Sequence, residues 1–566
     1  MTSTKDIDEP NQSPEIITSD TTPIGNVLDY WCMKDSKPRK SQIEAFAEMD
    51  NIPSHVKYIF LQVPVGGGKS PIALTYADYL GGKYGGTSYI LTPQRILQRQ
   101  YEESFFDIYG EKIMSMYGKA NYECHTKLGL NCDVGSDIKP KCEDCTASTQ
   151  FRKMATTNHV VLNYKLALLY SEMANGGVMD FNHRGLMVFD ECHTLESQLV
   201  DHRAVQIGQK RCSDMDIDFY CAETLEEAYE WVVDIYKPAL INRVEYLKGE
   251  VEYINDKYEH GNSTPLPSEF KTIKNYKDSN RHLELISNMT DTGLEELSKN
   301  YVFIKDENFF KFKEIYGQHL FNKLLEPMAE KFLFMSSTIL NFDAYIDDIG
   351  LDRDLVHIID LPSEFDVDNR PVYYMPTAKM NYGWNKKENK PKQDAMISQV
   401  EKLCNLHSDE CGIIHTGSFM LSKWLVENLE GKIPQQIITH DQEDNESRDD
   451  CINTFTNNDG KKPMVFISPS ITEGLDLKDD KSRFAIFAKI PYPHMGDAWV
   501  KRRMDLSNEW YQRQAMISII QGGGRVVRSE QDWGNVYILD ESFAFLWRQF
   551  KSRTPKWWKD AFKRLS

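Results

Sequence analysis

The chain has 566 residues, a formal net charge of −19, 41% hydrophobic residues and 11 cysteines. That length exceeds what one hydrophobic core can serve and predicts several domains, while no apolar run reaches the ~18 residues that a membrane-spanning helix needs. Acidity argues against a nucleic-acid partner only as an average, because phosphate contacts come from local basic grooves, and the last 26 residues from Glu541 carry seven Lys/Arg against two acids.

Residues 1–22 are polar, acidic and Pro- and Thr-bearing, the composition of a disordered tail, with no charged-then-apolar signal pattern. An odd number of cysteines without such a pattern points to a reducing, intracellular and cytoplasmic setting, with no membrane partner. Arg39 and Gln42 then precede a helical pattern. The Gln amide suits the edge of an adenine, and helix-entry polarity accounts for the pair equally well. The apolar run Tyr58-Ile59-Phe60-Leu61 leads into Pro64-Val65-Gly66-Gly67-Gly68-Lys69-Ser70 and then a helix. Strand, glycine turn and helix form the context of a phosphate loop. Gly66, Gly67 and Gly68 would let backbone N–H groups approach phosphate oxygens, Lys69 would supply a point charge, and the Ser70 hydroxyl would hold Mg²⁺. The first position of the usual pattern is Val63 rather than Gly.

Strand and helix alternate onward from Ser88, as in a parallel α/β sheet, until an insert over residues 115–150 that is poor in apolar periodicity. It contains Cys124, Cys132, Cys142 and Cys145. A loop-rich segment without a core of its own needs a staple, and four thiolates binding zinc or an iron–sulfur cluster provide one. The apolar stretch Gly185–Phe189 runs into Asp190-Glu191-Cys192-His193, two carboxylates at a strand end downstream of the phosphate loop. Asp190 suits Mg²⁺ coordination, and Glu191 suits orienting or deprotonating the attacking water. His193 is placed to bridge nucleotide and nucleic acid. Residues 200–325 read as a helical insert, and Lys331–Ile339 as a further strand ending in hydroxyls. A second α/β unit follows from about residue 341, with strands near Gly412, Met464 and Phe484 and with the segment Glu473-Gly474-Leu475-Asp476. A helix then leads to Gln521-Gly522-Gly523-Gly524-Arg525-Val526-Val527-Arg528. Arg525 and Arg528, three apart on an expected helical face after a glycine turn, suit the arginine-finger role.

This ordered set of motifs, together with Met335-Ser336-Ser337-Thr338, resembles the superfamily 2 helicases of the XPD/DinG type over about residues 39–540. The resemblance implies an α/β fold of two RecA-like domains. The first would span 23–340, carrying the 115–150 metal insert and a 200–325 helical arch, and the second 341–566. It implies ATP and Mg²⁺ as cofactors and a [4Fe–4S] cluster on Cys124, Cys132, Cys142 and Cys145, with zinc as the alternative. Catalysis would fall to Lys69, Asp190, Glu191, Gln521, Arg525 and Arg528, and nucleotide binding to Arg39, Gln42, Gly66, Gly67, Gly68, Lys69, Ser70, Gly474 and Asp476. The implied activity is 5′→3′ movement on single-stranded and forked DNA by a monomer, with RNA or protein-coated DNA as the alternative track. The sequence departs from the family where Val65 and Gly67 stand for Thr, Cys192 for Ala and Ser337 for Ala.

Overall fold

Short, almost wholly apolar runs build the strands, and their burial on both faces requires sheets covered by helices on each side. The computed structural model describes residues 25–565 apart from 85–86, 126–129, 136–141, 143–144, 178–181, 259–265, 382, 441–444, 459, 470–476 and 478. Helix α1 (Lys40–Asp50) precedes β1 (Tyr58–Gln62), and α2 (Lys69–Tyr84) follows it. Next come β2 (Ser88–Thr92), β3 (Ile113–Ser115), β4 (His159–Asn163), β5 (Arg184–Asp190) and α3 (Leu195–His202).

The insert then begins with β6 (Val205–Gly208), continues through two long helices packed along each other, α4 (Lys237–Tyr258) and α5 (Pro267–Asp291), and ends with β7 (Tyr301–Lys305) and β8 (Phe309–Glu314). The helical insert expected over 200–325 is present in α4 and α5, and β6, β8 and β7 add an antiparallel sheet in that order. The alternation in Phe309-Phe310-Lys311-Phe312-Lys313 is the period-2 pattern of a half-buried strand.

β9 (Ala329–Ser336), α6 (Phe342–Ile349) and β10 (Val356–Asp360) return to the first domain. Its seven strands run parallel in the order β10-β1-β9-β5-β2-β4-β3. The expected boundary at 340 therefore falls too early. β10 pairs with β1, matching Gln62 to Asp360, and α6 buries Tyr345, Ile346 and Ile349 in the first core. An edge strand with mostly half-exposed side chains gives little hydrophobic signal, which hid β10.

The second domain holds β11 (Val372–Ala378), β12 (Gly412–His415), β13 (Gln436–Ile438), β14 (Met464–Ser468), β15 (Phe484–Phe487), β16 (Asn535–Asp540) and β17 (Phe562–Arg564). They form a second parallel sheet, β13-β14-β12-β15-β16-β11-β17. Between β15 and β16 lie α7 (Ala498–Leu506) and α8 (Asn508–Gly523), and both reach the first domain. Among the described residues no helix is long and apolar enough to cross a membrane.

A candidate nucleotide site between the two sheets

Three adjacent strands end together. The register matches Gln62 of β1 to Ser336 of β9 and Met335 of β9 to Asp190 of β5, so the phosphate loop, the Asp-Glu pair and the strand-end hydroxyls converge on one edge. In the loop, Gly66 and Gly68 have φ of +75° and +77°, a region that side chains strain. A Cβ on Gly68 would lie 2.4 Å from Gln42 Nε2, and one on Gly66 the same distance from the Arg528 carbonyl oxygen. Arg39 donates to the Gly66 carbonyl. Gln42 Nε2 donates to the Gly68 carbonyl at 3.3 Å, and Gln42 Oε1 accepts from the Arg39 N–H at 2.9 Å. Both side chains thus brace the backbone of the loop.

Lys69 pairs with Glu191, and its Nζ stands 3.9 Å from Asp190 Oδ1. Burial opposes the ammonium charge, but the two carboxylates outweigh it and hold the Lys69 pKa up. Burial also pushes the Asp190 carboxyl up. At Glu191 burial is overcome by Lys69, His193 and Arg525, which hold that carboxyl low and ionised. The Tyr101 hydroxyl meets Ser70 and also donates to Asp190 Oδ2 at 3.3 Å, so the two expected Mg²⁺ ligands face one another across one phenol. A serine hydroxyl beside a carboxylate, in front of a glycine cradle, is the donor set that Mg-nucleotide requires.

Glu191 adopts φ +51°, a left-handed conformation that costs a non-glycine residue roughly 1–2 kcal/mol. That turn carries His193 to Ser336 Oγ at 3.2 Å and to Gln521 Nε2 at 3.0 Å. His193 therefore joins the strand-end hydroxyls to the second domain. Cys192 is fully buried, its carbonyl accepts from the Tyr345 hydroxyl, and burial pushes its thiol pKa up, which makes it an unreactive packing residue.

From the second domain, Gln521 occupies the last turn of α8. Arg525 and Arg528 were expected on a helical face. They lie instead beyond the helix, which ends at Gly523 because consecutive glycines favour termination. The segment rests directly on the phosphate loop: a Cβ on Gly524 would be 2.7 Å from Val65 Cγ2. Gly474 and Asp476 lie outside the described residues.

Below this site a buried ionic cluster joins the domains. Arg503 of α7 bonds Glu196 of α3 at 2.6 Å and Asp348 of α6 at 3.1 Å, Arg513 of α8 also pairs with Asp348, and Trp510 Nε1 donates to Glu196 at 3.3 Å. Sequence reasoning missed this cluster, as it missed Tyr101 and Tyr345. Each is an ordinary residue of an amphipathic helix until the fold brings its partner up.

Two further features flank the site. A groove of about 720 Å³ between the first domain and the insert is lined by Arg95, Lys165, Arg281 and Lys311, with His202 and one carboxylate, Asp201. In the cysteine insert the sulfurs approach in pairs, Cys124 to Cys142 at 3.9 Å and Cys132 to Cys145 at 4.0 Å. Among the described residues no three metal-ligating side chains form an ion-holding group. The chemistry of the donor set, four thiols brought to one segment, suits a thiolate-bound metal.

Comparison with known proteins agrees with this layout. A helicase C-terminal domain profile matches residues 400–561, and the profile of the Type III restriction enzyme, res subunit, matches 35–221. The human regulator of telomere elongation helicase 1 is 32% identical over 102 residues, 15% of this chain and 8% of that protein. The chicken Fanconi anemia group J protein homolog is 26% identical over 120 residues, 19% and 10% of the two chains. The chain thus matches about a tenth or less of the length of these curated relatives. A solved XPD helicase superposes with a TM-score of 0.58 at 13% identity, covering 94% of this chain and 100% of that one. XPD4 of S. tokodaii gives 0.52 at 13%, covering 93% and 100%.

Proposed function

We propose that this chain, an XPD/DinG-type superfamily 2 helicase in fold and motif order, uses ATP hydrolysis to move 5′→3′ along single-stranded DNA and part the duplex ahead of it. The observation that carries the reading is the closure of the second domain over the phosphate loop. Gln521 reaches His193 at 3.0 Å, and Arg525 lies close enough to Glu191 to add to Lys69 and His193 in holding its carboxyl low. A site assembled from two domains ties hydrolysis to their separation.

In this mechanism the backbone of Gly66–Gly68 and the Lys69 ammonium bind the β- and γ-phosphates, with Arg39 and Gln42 holding the loop in shape and Gln42 lying nearest the base. Ser70 and Asp190 would hold Mg²⁺, which neutralises charge on the phosphates when bound. Glu191 orients the attacking water and takes its proton. Arg525 and Arg528 stabilise charge on the transferring phosphoryl group from the second domain. Gly474 and Asp476 join the nucleotide site in this reading. Release of phosphate removes the charge that draws the arginines in, and the domains part.

The groove of Arg95, Lys165, Arg281 and Lys311 supports a path for the strand, since cations lining one groove neutralise backbone phosphates. Cys124, Cys132, Cys142 and Cys145 would hold the metal that staples the insert. The family resemblance favours [4Fe–4S]. Zinc held tetrahedrally by the same four thiolates is the alternative. Metal analysis of anaerobically purified protein separates the two. Eleven cysteines without a disulfide support a reducing intracellular setting.

The test is ATP hydrolysis and strand separation on matched forked DNA and RNA. Wild-type protein is expected to hydrolyse ATP faster with single-stranded DNA and to open forks bearing a 5′ tail. Lys69→Ala and Glu191→Gln should abolish both. DNA-stimulated hydrolysis that persists unchanged in those variants overturns the reading, and equal opening of RNA forks widens the substrate to RNA.

A further inference from the structure

The insert contains a cavity that the ATPase reading leaves unused. It measures about 450 Å³, the size of a nucleotide pocket, and opens between β6, the helix Gln209–Ser213 and the paired helices α4 and α5. Lys210, Arg211 and Arg243 line it, and among the described residues none of the three is paired with a carboxylate. The carboxylates on its wall, Asp214 and Asp278, are exposed and solvated.

Its buried side is polar and unsatisfied. Tyr236 is completely buried, yet its hydroxyl has no hydrogen-bond partner. His282 meets the Tyr236 ring edge-on at 5.8 Å, and its Nε2 is buried without a partner as well. Tyr236 also closes the π-helical turn Val232–Tyr236 that leads into α4, a backbone irregularity that clusters at functional sites. Leu240 and Met215 add an apolar wall suited to a flat ring.

We propose that this cavity is a second binding site, for a small phosphate-bearing anion. Arg211, Arg243 and Lys210 take the phosphate, and Tyr236 and Leu240 back the cavity behind them. The ligand can come from two sources, because the cavity adjoins the basic groove. Gln206 on its wall stands directly opposite Lys311 of the groove in the β6–β8 pair, and Asp278 and Arg281 lie one turn apart on α5. One source is a free mononucleotide. The other is a nucleotide of the strand occupying the groove, and that source rests on the strand path proposed above.

The experiment uses the full chain saturated with ADP and Mg²⁺, so that the phosphate loop is filled, titrated calorimetrically with thymidine 5′-monophosphate and separately with a twelve-residue oligothymidylate. Arg211→Gln and Arg243→Gln are the variants, each checked for unchanged basal ATPase. Binding of one monophosphate per chain, weakened at least about tenfold in both variants, supports the site with a free ligand. No monophosphate binding, with oligothymidylate weakened at least about fivefold in both, supports the site with a strand nucleotide. Identical titrations for wild type and variants overturn the proposal while leaving the motor reading intact. Failure of wild type to bind oligothymidylate counts against the motor reading, and the monophosphate titration alone then decides the pocket.

Discussion

Arg503→Ala is expected to loosen the join between the two RecA-like domains without unfolding either. Arg503 is 1% exposed and bonds Glu196 and Asp348 of the first domain at 2.6 and 3.1 Å, while its guanidinium lies 4.3 Å from the Tyr316 ring centre and 4.8 Å from that of Trp510. Removing one partner of a buried ion pair costs about 3–5 kcal/mol, which moves the closed-to-open equilibrium by roughly 10²–10⁴. The loss depends on pH. Burial raises the Glu196 carboxyl from 4.5 to about 7 even with Arg503 beside it. A carboxyl with a raised folded pKa favours the folded arrangement while protonated and loses that contribution as pH climbs from about 4.5 through 7. Without Arg503 the ionised form is opposed further, so the defect should be larger at pH 8 than at pH 5.5. Scanning calorimetry and small-angle scattering at both pH values check this. At pH 8 the variant should unfold in two transitions and show a larger radius of gyration than wild type, with Arg503→Met intermediate because it keeps the apolar contacts. A single transition at the wild-type temperature, with an unchanged radius at pH 8, would refute the reasoning.

Gly68→Ala places a Cβ at φ +77° and 2.4 Å from Gln42 Nε2, so kcat/KM for ATP should fall at least about tenfold while circular dichroism stays unchanged. Gln521→Ala removes the 3.0 Å bond to His193; basal hydrolysis should fall, and hydrolysis with single-stranded DNA should fall several-fold further, read as the ratio of the two rates. On the proposed metal staple, wild type should carry stoichiometric iron or zinc by plasma emission and Cys132→Ser should lose it. Cys192→Ala should be nearly silent, with a loss under about 1.5 kcal/mol in chemical denaturation and wild-type ATPase, because the thiol is fully buried and unreactive.

The strands that carry the nucleotide motifs were legible because they are consecutive apolar runs ending in chemistry: Tyr58–Leu61 before the glycines, and Gly185–Phe189 before Asp190. Glycines at Gly66 and Gly68 report backbone geometry directly, so the loop could be read from its residues alone. Features that arise from pairing were not legible. β10 is half exposed and looks like linker until Gln62 reaches Asp360 at 2.8 Å. Arg503, Glu196 and Asp348 look like solvated helix charges, and only the docking of α7 and α8 on the first domain buries them. The two arginines after Gly524 were expected on a helix and lie beyond it, because helical spacing continues through a glycine stop whose geometry the sequence does not display.

The connection of the insert has a mechanical meaning. The chain leaves the first sheet at the C-terminal end of β5 and returns at the N-terminal end of β9, and these two strands are parallel, hydrogen-bonded neighbours. A load pulling the insert away from the body first meets α3 and residues 320–325, both buried in the first core, and through them acts on two adjacent strands from opposite ends, in shear. Parallel strands sheared in this way share the load across all their evenly spaced hydrogen bonds at once, where a peeled pair would surrender them one by one. Asp190 and Ser336 sit on that loaded pair, so tension on the insert is borne by the same strands that carry the groups around the nucleotide.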